Sequence, residues 1–138
     1  MAIIIKGRCI SRGYAEGEAL VCRQPIGFNF GIDVADGTIQ EHGHELVNQS
    51  IKDKILVFPH GKGSTGGSYV VYQLAKQKTG PKAMINVKTH PVFAYASIVL
   101  NIPTVDELDK NPMEVIETGD WVKVDAEKGR VEVTKKKG

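Results

Sequence analysis

Short apolar runs near the N-terminus are separated by glycine or charged residues, a pattern typical of β-strands. Ala2–Ile5 and Gly17–Cys22 predict strands, because apolar and β-branched side chains suit a pleated, half-buried surface. Phe28–Thr38 is rich in glycine and aspartate and contains the turn pair Asp36-Gly37. The N-terminal third is therefore predicted to be β structure followed by a long loop.

The middle of the chain changes from runs of apolar residues to helical periodicity and back. Lys54–Phe58 predicts a strand covered on both faces, which Pro59 ends because proline cannot donate to a strand ladder. Ser68–Lys78 places its apolar residues on one helical face, and Ala83–Val87 predicts another strand. Pro91–Leu100 predicts a second helix that begins at proline. This order indicates a β-α-β unit with two helices packed on one sheet.

The C-terminal part alternates apolar and polar residues twice around a turn. Gly119–Asp125 and Arg130–Val133 predict a hairpin that turns through Ala126–Gly129. The final residues, Lys135–Gly138, are expected to be disordered. Because no repeat or linker divides the sequence, residues 1–138 are expected to form one domain of mixed α and β structure, with β-rich ends around the β-α-β middle.

Composition narrows the possible partners. The 138 residues carry 18 Lys and Arg against 16 Asp and Glu, a formal charge of +2, and are 41% hydrophobic. Near-neutral charge gives no electrostatic footprint for nucleic acid or a membrane surface. Cys9 and Cys22 do not form a CxxC motif, and nothing indicates a secreted disulfide scaffold. A reducing, cytoplasmic setting is therefore expected.

The segment 58–68 (FPHGKGSTGGS) is the one most suggestive of chemistry, because it joins a predicted buried strand to a predicted helix. Glycine lets another group approach the main chain closely, and the free N–H groups at a helix start favour an anion. Lys62 adds a positive charge, and Ser64 and Thr65 add hydroxyls. The loop is therefore predicted to hold a phosphate, a carboxylate or an oxyanion.

Other interpretations of the loop are less chemical. Its hydroxyls could serve only as helix caps while its glycines form a tight turn. Residues 61–66 (GKGSTG) match GxGxxG, but the acidic residue expected about 20 positions later in a dinucleotide site is missing at 86–88 (NVK). The phosphate-binding Walker pattern fails because Lys62 is followed by glycine. Anion binding and simple capping therefore both remain open from the pattern alone.

Several segments together resemble the small subunit of archaeal phosphomevalonate dehydratases, in the aconitase X group. The matches are GRCISRG at 7–13, AEGEALV at 15–21, PI at 25–26, HEL at 44–46 and VFPHGKGSTGGSYVVY at 57–72. AEGEALV in combination with GKGST is specific, whereas either motif alone would be weaker. The resemblance implies an α/β fold, the swivelling β/β/α domain of the aconitase type, with mixed sheets and two main helices.

The resemblance also implies a partner and a reaction. The chain is expected to join a large subunit that carries a 4Fe-4S cluster, and to bind no cofactor or metal alone. The implied hydro-lyase removes water from (R)-5-phosphomevalonate to give trans-anhydromevalonate 5-phosphate, in a route to isoprenoids. The alternative is a non-catalytic binding or regulatory subunit of an aconitase-like dehydratase with another hydroxy-acid substrate, such as hydroxyproline.

The family's catalytic serine falls on Ser64, and the neighbouring Lys62, Gly63 and Thr65 are implied substrate contacts. A serine hydroxyl is a weak base unless its alkoxide is stabilised, which the helix start, nearby amides and Lys62 could do. The same groups could instead bind a substrate carboxylate or phosphate. The pattern leaves both uses open.

Other residues are weaker candidates. His42 and His44 could share one strand face, but they have no third metal ligand nearby, so a surface or interface role is favoured. His60 could orient substrate or simply be a polar loop residue. The cysteines are expected to be buried. The remaining candidates for structure, surface or docking are Arg12, Glu16, Glu18, Trp121 and the helix residues Tyr69, Val70, Val71, Tyr72 and Leu74.

Overall fold

The computed structural model describes residues 2–26, 32–41, 43–61, 66–89 and 91–136. These ranges contain strands and helices in the order β1 (Ala2–Lys6), β2 (Arg8–Ser11), β3 (Tyr14–Val21), β4 (Ile32–Asp33), β5 (Thr38–Ile39), β6 (Ile55–Phe58), α1 (Gly66–Gln77), β7 (Ala83–Asn86), α2 (Pro91–Val99), β8 (Thr104–Asp106), α3 (Pro112–Val115), β9 (Trp121–Asp125) and β10 (Arg130–Thr134). In the described ranges no helix is both long and apolar enough to cross a bilayer.

Eight strands form one mixed sheet in the order β1-β10-β9-β3-β6-β7-β8-β2. Strands β3, β6, β7 and β8 pair in parallel, and the others pair antiparallel. A second, two-stranded sheet pairs β4 with β5. The two edge strands of the large sheet, β1 and β2, are consecutive in the chain and are separated only by Gly7. The sheet therefore curls until its two edges meet at this residue.

Gly7 occupies a position too crowded for any side chain. Its N–H donates to the Gly129 carbonyl at 2.8 Å. A Cβ added here would overlap the Asp106 carbonyl oxygen and lie 2.9 Å from Cα of Leu108. Glycine lets backbones approach this closely, so its presence allows the chain to pass from one edge of the sheet to the other.

Two apolar cores lie on opposite faces of the parallel strands, because side chains alternate along a strand. On β6, Leu56 and Phe58 belong to the core under α1 and α2, with Leu74 and Phe93. The alternate residues of β6 belong to the other core, which they share with the antiparallel strands: Ile55 and Val57 with Ile5, Val122, Val124, Val131 and Val133. The layers are therefore antiparallel strands, parallel strands and helices. This mixed α/β architecture confirms the predicted β/β/α class.

Most predicted elements are confirmed, with small shifts at their ends. The predicted strand 17–22 begins earlier, at Tyr14, and the β9–β10 hairpin turns through a 3₁₀ segment, Ala126–Lys128. Helix α1 starts at Gly66 rather than Ser68. The helix therefore includes two glycines, although glycine is a poor helix former.

Other sequence predictions need correction. Part of the predicted loop 28–38 forms the β4–β5 hairpin, whose turn includes Gly37 at φ +74°, while residues 28–31 lie outside the described ranges. Lys135 and Lys136 are held by hydrogen bonds to Asp120 rather than disordered, and residues 137–138 lie outside the described ranges. Strands β2 and β8 and the short helix α3 were not predicted.

Candidate active site at the carboxyl edge of the parallel strands

The loop singled out in the sequence begins at the carboxyl end of the central strand β6. Pro59, His60 and Gly61 follow this strand, and α1 begins at Gly66. The predicted catalytic Ser64 and the predicted substrate contacts, Lys62, Gly63 and Thr65, lie outside the described residues. Ligands of open α/β sheets bind beyond the carboxyl ends of the strands, so the residues that flank this loop define the candidate site.

Gly61 is held between two parts of the fold. It forms a parallel bridge with Ile26, whose N–H donates to the His60 carbonyl at 3.3 Å. On its other side, a Cβ at Gly61 would overlap the ring of Phe93 and lie 2.8 Å from its Cζ atom. Phe93 is buried in α2. The entry to the loop is therefore fixed by packing against α2.

His60 has a defined ring orientation. Its Nδ1 lies 2.8 Å from the carbonyl oxygen of Gly61. Because a carbonyl can only accept, Nδ1 carries the proton, which leaves Nε2 as an acceptor in the neutral ring. The side chain is exposed and lines a cleft beside the loop. Both roles considered for His60, a polar loop residue and a residue that orients substrate, stay predictions.

The cleft beside His60 has a volume of about 470 Å³ and is lined by Arg8, His60, Lys88, Thr89 and Pro91. Arg8 begins the edge strand β2, and Lys88 and Thr89 follow the carboxyl end of β7. The sheet therefore brings basic side chains from distant parts of the chain next to the glycine loop.

A buried carboxylate holds one wall of this cleft. Asp106, at the end of β8, is fully buried and accepts hydrogen bonds from Arg8 Nε at 2.9 Å and Nη2 at 3.0 Å. It also accepts from the N–H of Thr89 at 2.8 Å. Burial alone would raise the pKa of Asp106, but the hydrogen bonds from Arg8 and Thr89 outweigh burial and lower it. The ionised Asp106 therefore fixes both Arg8 and the start of the 89–91 segment.

A second set of hydrogen bonds ties the end of β7 to the end of β6. Asn86 donates from Nδ2 to the Phe58 carbonyl at 3.1 Å and accepts at Oδ1 from the Thr89 hydroxyl at 3.2 Å. The N–H groups of Val87 and Lys88 point to the Pro59 carbonyl at 3.0 and 3.2 Å. Lys88 thus sits on a backbone that is fastened to the glycine loop.

Glu107 lies across the mouth of this arrangement and contacts both cations. Its carboxylate is 3.0 Å from Arg8 Nε and 3.1 Å from Lys88 Nζ. Its backbone has φ +50°, a conformation that non-glycine residues rarely adopt. Two positive and two negative side chains therefore balance at the edge of the cleft.

Cys22 and His44, which the sequence suggested separately, lie together beyond the end of β3. Sγ of Cys22 is 3.8 Å from Nε2 of His44, and the thiol donates to the Gln24 carbonyl at 3.1 Å. Burial raises the pKa of Cys22 to about 11, so the thiol stays protonated. Nδ1 of His44 accepts from the Leu46 N–H at 3.0 Å. These contacts are structural, because they join the segment after β3 to residues 44–46.

Several candidate residues outside the loop differ from their predicted burial. His44 is buried rather than at the surface, Cys9 is exposed rather than buried, and His42 lies outside the described residues. Tyr72 is exposed although a packing role was favoured, whereas Leu74 is buried as expected. The remaining polar candidates are at the surface: Arg12 is exposed, Glu18 pairs with Lys54, and Glu16 accepts from Trp121 and Tyr14. Across the described ranges, no three His, Cys, Asp or Glu side chains come together as a metal site.

Sequence reasoning missed Arg8, Lys88, Thr89, Asp106 and Glu107. One available signal was that polar residues directly follow the apolar runs of β7 and β8, where parallel strands place them at one edge. The pairing of Arg8 with Asp106, which are 98 residues apart, has no local signal in the chain.

This layered sheet, with its glycine loop at the carboxyl edge, defines a swivel domain of the aconitase type. The fold alone is shared with 3-isopropylmalate dehydratase from Methanocaldococcus jannaschii (TM-score 0.60, 16% identity, covering 91% of this chain and 84% of that one). The family model for the aconitase X swivel domain matches residues 4–133, and the chain belongs to this family.

Similar proteins agree with this assignment. Aconitase X from Thermococcus kodakaraensis, in its holo form, has a TM-score of 0.90 and 43% identity, with 96% of this chain and 99% of that chain covered. The phosphomevalonate dehydratase small subunit of Methanosarcina acetivorans is 51% identical over 136 residues, which are 99% of this chain and 94% of that protein. The chain therefore spans nearly the full length of these relatives.

Proposed function

We propose that this chain is the small subunit of a phosphomevalonate dehydratase, which removes water from (R)-5-phosphomevalonate to give trans-anhydromevalonate 5-phosphate. The observation that carries the proposal is the match, over nearly the whole chain, to proteins named as that small subunit. The described site is consistent with it, because basic side chains gather beside the glycine loop. Arginine and lysine are the side chains that pair with carboxylate and phosphate groups.

In this proposal the chain supplies the base. Removing a proton from the carbon next to a carboxylate builds negative charge on the substrate, and a positioned side chain must accept the proton. Ser64 takes this role as its alkoxide, which becomes the neutral hydroxyl when it accepts the proton, and Lys62, Gly63 and Thr65 contact the substrate. Support comes from where the loop is attached: it starts at the packed Gly61 and ends at Gly66, where α1 begins. Amide N–H groups at a helix start stabilise a developing anion.

The large subunit completes the site. Loss of a tertiary hydroxyl requires a Lewis acid on its oxygen, and we assign that chemistry to an iron–sulfur cluster held by the large subunit. The described residues of this chain do not fit such a cluster, because Cys22 is a buried, protonated thiol and no three metal-binding side chains lie together there. This chain therefore contributes the proton acceptor and the groups that orient the anionic substrate.

The test is anaerobic reconstitution of Ser64→Ala with the large subunit, with 5-phosphomevalonate as substrate. We expect dehydration to fall by at least about a hundredfold, as for loss of a general base, while subunit association measured by size-exclusion chromatography is unchanged. Ser50→Ala is the matched control, because Ser50 precedes β6 at the opposite end of that strand. Full turnover by Ser64→Ala would refute the assigned base.

A further inference from the structure

The cleft lined by Arg8, His60, Lys88, Thr89 and Pro91 is built separately from the loop residues assigned to proton transfer. Its basic side chains come from β2 and from the turn after β7, and both are anchored by the buried Asp106, directly or through Thr89. A cation whose position is fixed in advance binds a ligand with less loss of side-chain freedom. The cleft therefore has the features of an ordered binding site rather than of scattered surface charge.

Asp106 accepts hydrogen bonds from only one edge of the Arg8 guanidinium. Asp106 accepts from the Nε and Nη2 atoms, which form one edge of the planar group. Nη1 and the second N–H of Nη2 have no hydrogen-bond partner among the described residues, and the side chain is 48% exposed. Arginine can bind a second planar or tetrahedral anion through this free edge, because its five N–H groups lie in a fixed fork.

Glu107 already bridges the two cations and meets Arg8 at Nε, beside Asp106, so an anion on the free edge of Arg8 would compete with it for Lys88. Its carboxylate contacts Arg8 Nε at 3.0 Å and Lys88 Nζ at 3.1 Å, and its side chain is 45% exposed. Glu107 has a positive φ, and its N–H donates to the Val87 carbonyl at 3.2 Å. Turning this exposed side chain into water would leave Arg8, Lys88 and Asp106 with one net positive charge facing the cleft.

We propose that the cleft binds the phosphate group of the phosphorylated substrate between Arg8 and Lys88, in exchange for the carboxylate of Glu107. That the phosphate belongs to 5-phosphomevalonate rests on the proposed function. The anion subsite itself rests on the contacts of Arg8, Lys88 and Glu107. Lys88 is the more adaptable contact, because its side chain is 65% exposed and is paired with Glu107. Glu107 is then an internal competitor that pairs with both cations until the phosphate displaces it.

The first test measures inorganic phosphate binding to the full chain by amide chemical shifts in a titration at low salt. We expect shifts at Lys88, Thr89 and Gly61, and binding about tenfold weaker in Lys88→Ala, since a charge-assisted hydrogen bond is lost. In Glu107→Gln we expect binding about threefold tighter, because the competing carboxylate is gone. Arg8 is left unchanged, because its removal would leave Asp106 buried without its cation.

Matched controls separate local contacts from net charge. Glu18→Gln changes the total charge by the same amount as Glu107→Gln and also releases a lysine, Lys54, from a 2.8 Å pair. Lys54→Ala is the matched control for Lys88→Ala, because each variant removes one lysine that is paired with a glutamate. We expect both controls to bind phosphate like the wild type. Equal affinity in Lys88→Ala and wild type, or equal tightening by Glu18→Gln and Glu107→Gln, would overturn the subsite.

The second test uses the enzyme reconstituted with its large subunit. Lys88→Ala should raise the KM for 5-phosphomevalonate about tenfold with a smaller effect on kcat, as expected when binding to a non-reacting group is lost. Phosphate binding with an unchanged KM would contradict assignment of the subsite to the substrate. Failure of the wild-type pair to dehydrate 5-phosphomevalonate would reject the proposed function, while the phosphate titration would still decide the subsite.

Discussion

A single buried carboxylate, Asp120, holds Lys135 and Lys136 in place after the last strand. It accepts hydrogen bonds from the N–H of Glu117 at 2.8 Å, the N–H of Lys136 at 3.0 Å and Nζ of Lys135 at 2.6 Å. Burial would raise the pKa of Asp120, but these partners outweigh it and lower the pKa. Lys135 and Lys136 were expected to be disordered because the sequence there is polar and terminal. Their order depends on a partner earlier in the chain, which local composition does not reveal.

We expect Asp120→Asn to lower the free energy of unfolding at pH 7 by about 2 kcal/mol, because an amide cannot accept from all three donors. A carboxyl with a depressed folded pKa stabilises the fold above its unfolded pKa, and this stabilisation is lost as the pH falls toward the folded value. The difference between variant and wild type should therefore shrink as the pH falls below about 4. Urea denaturation at pH 7 and pH 3 measures both effects.

Asp36→Asn is the control for this prediction. Asp36 also accepts a backbone N–H, from Thr38 at 2.9 Å, but it is exposed. Water can replace that bond, so we expect a smaller loss of stability. Equal losses for the two variants, or a loss at Asp120 that does not depend on pH, would contradict the role of the buried carboxylate.

At the scale of elements, the contact between the glycine loop and α2 links two parts of the candidate site. Gly61 ends the described segment after β6, and Phe93 lies in the first turns of α2. The ring occupies the space that any side chain at Gly61 would need. The glycines identified the loop in the sequence, where they were compatible with anion binding or with a tight turn. At Gly61 the structure gives a packing reason instead.

Gly61→Ala should lower the free energy of unfolding by about 1–3 kcal/mol, the usual cost of overpacking. Because the overlap involves the Phe93 ring, Phe93→Leu should relieve part of it. The double variant is therefore expected to be more stable than the sum of the two single losses predicts. Urea denaturation of the four proteins measures this coupling, and strictly additive losses would show that the ring is not the obstacle.

At the scale of the whole molecule, the β-α-β middle was predictable, because β6 and β7 lie in continuous apolar runs and the helices α1 and α2 have 12 and 9 residues. Strand β8 and helix α3 have only three and four residues, which is too short for a periodic signal. Closure of the sheet at Gly7 brings Arg8 beside Asp106 and so creates the cleft. Such long-range pairing is decided by topology, which explains why the glycine loop could be identified from sequence and the basic cleft could not.

In the proposed function, this chain completes an active site that the large subunit cannot form alone. The most direct test of this claim is to titrate a fixed amount of the iron–sulfur-loaded large subunit with this chain under anaerobic conditions and to measure formation of trans-anhydromevalonate 5-phosphate. We predict a negligible rate without the chain, and a rate that rises with added chain and saturates at a fixed molar ratio. Full activity of the large subunit by itself, unchanged by added chain, would contradict the claim.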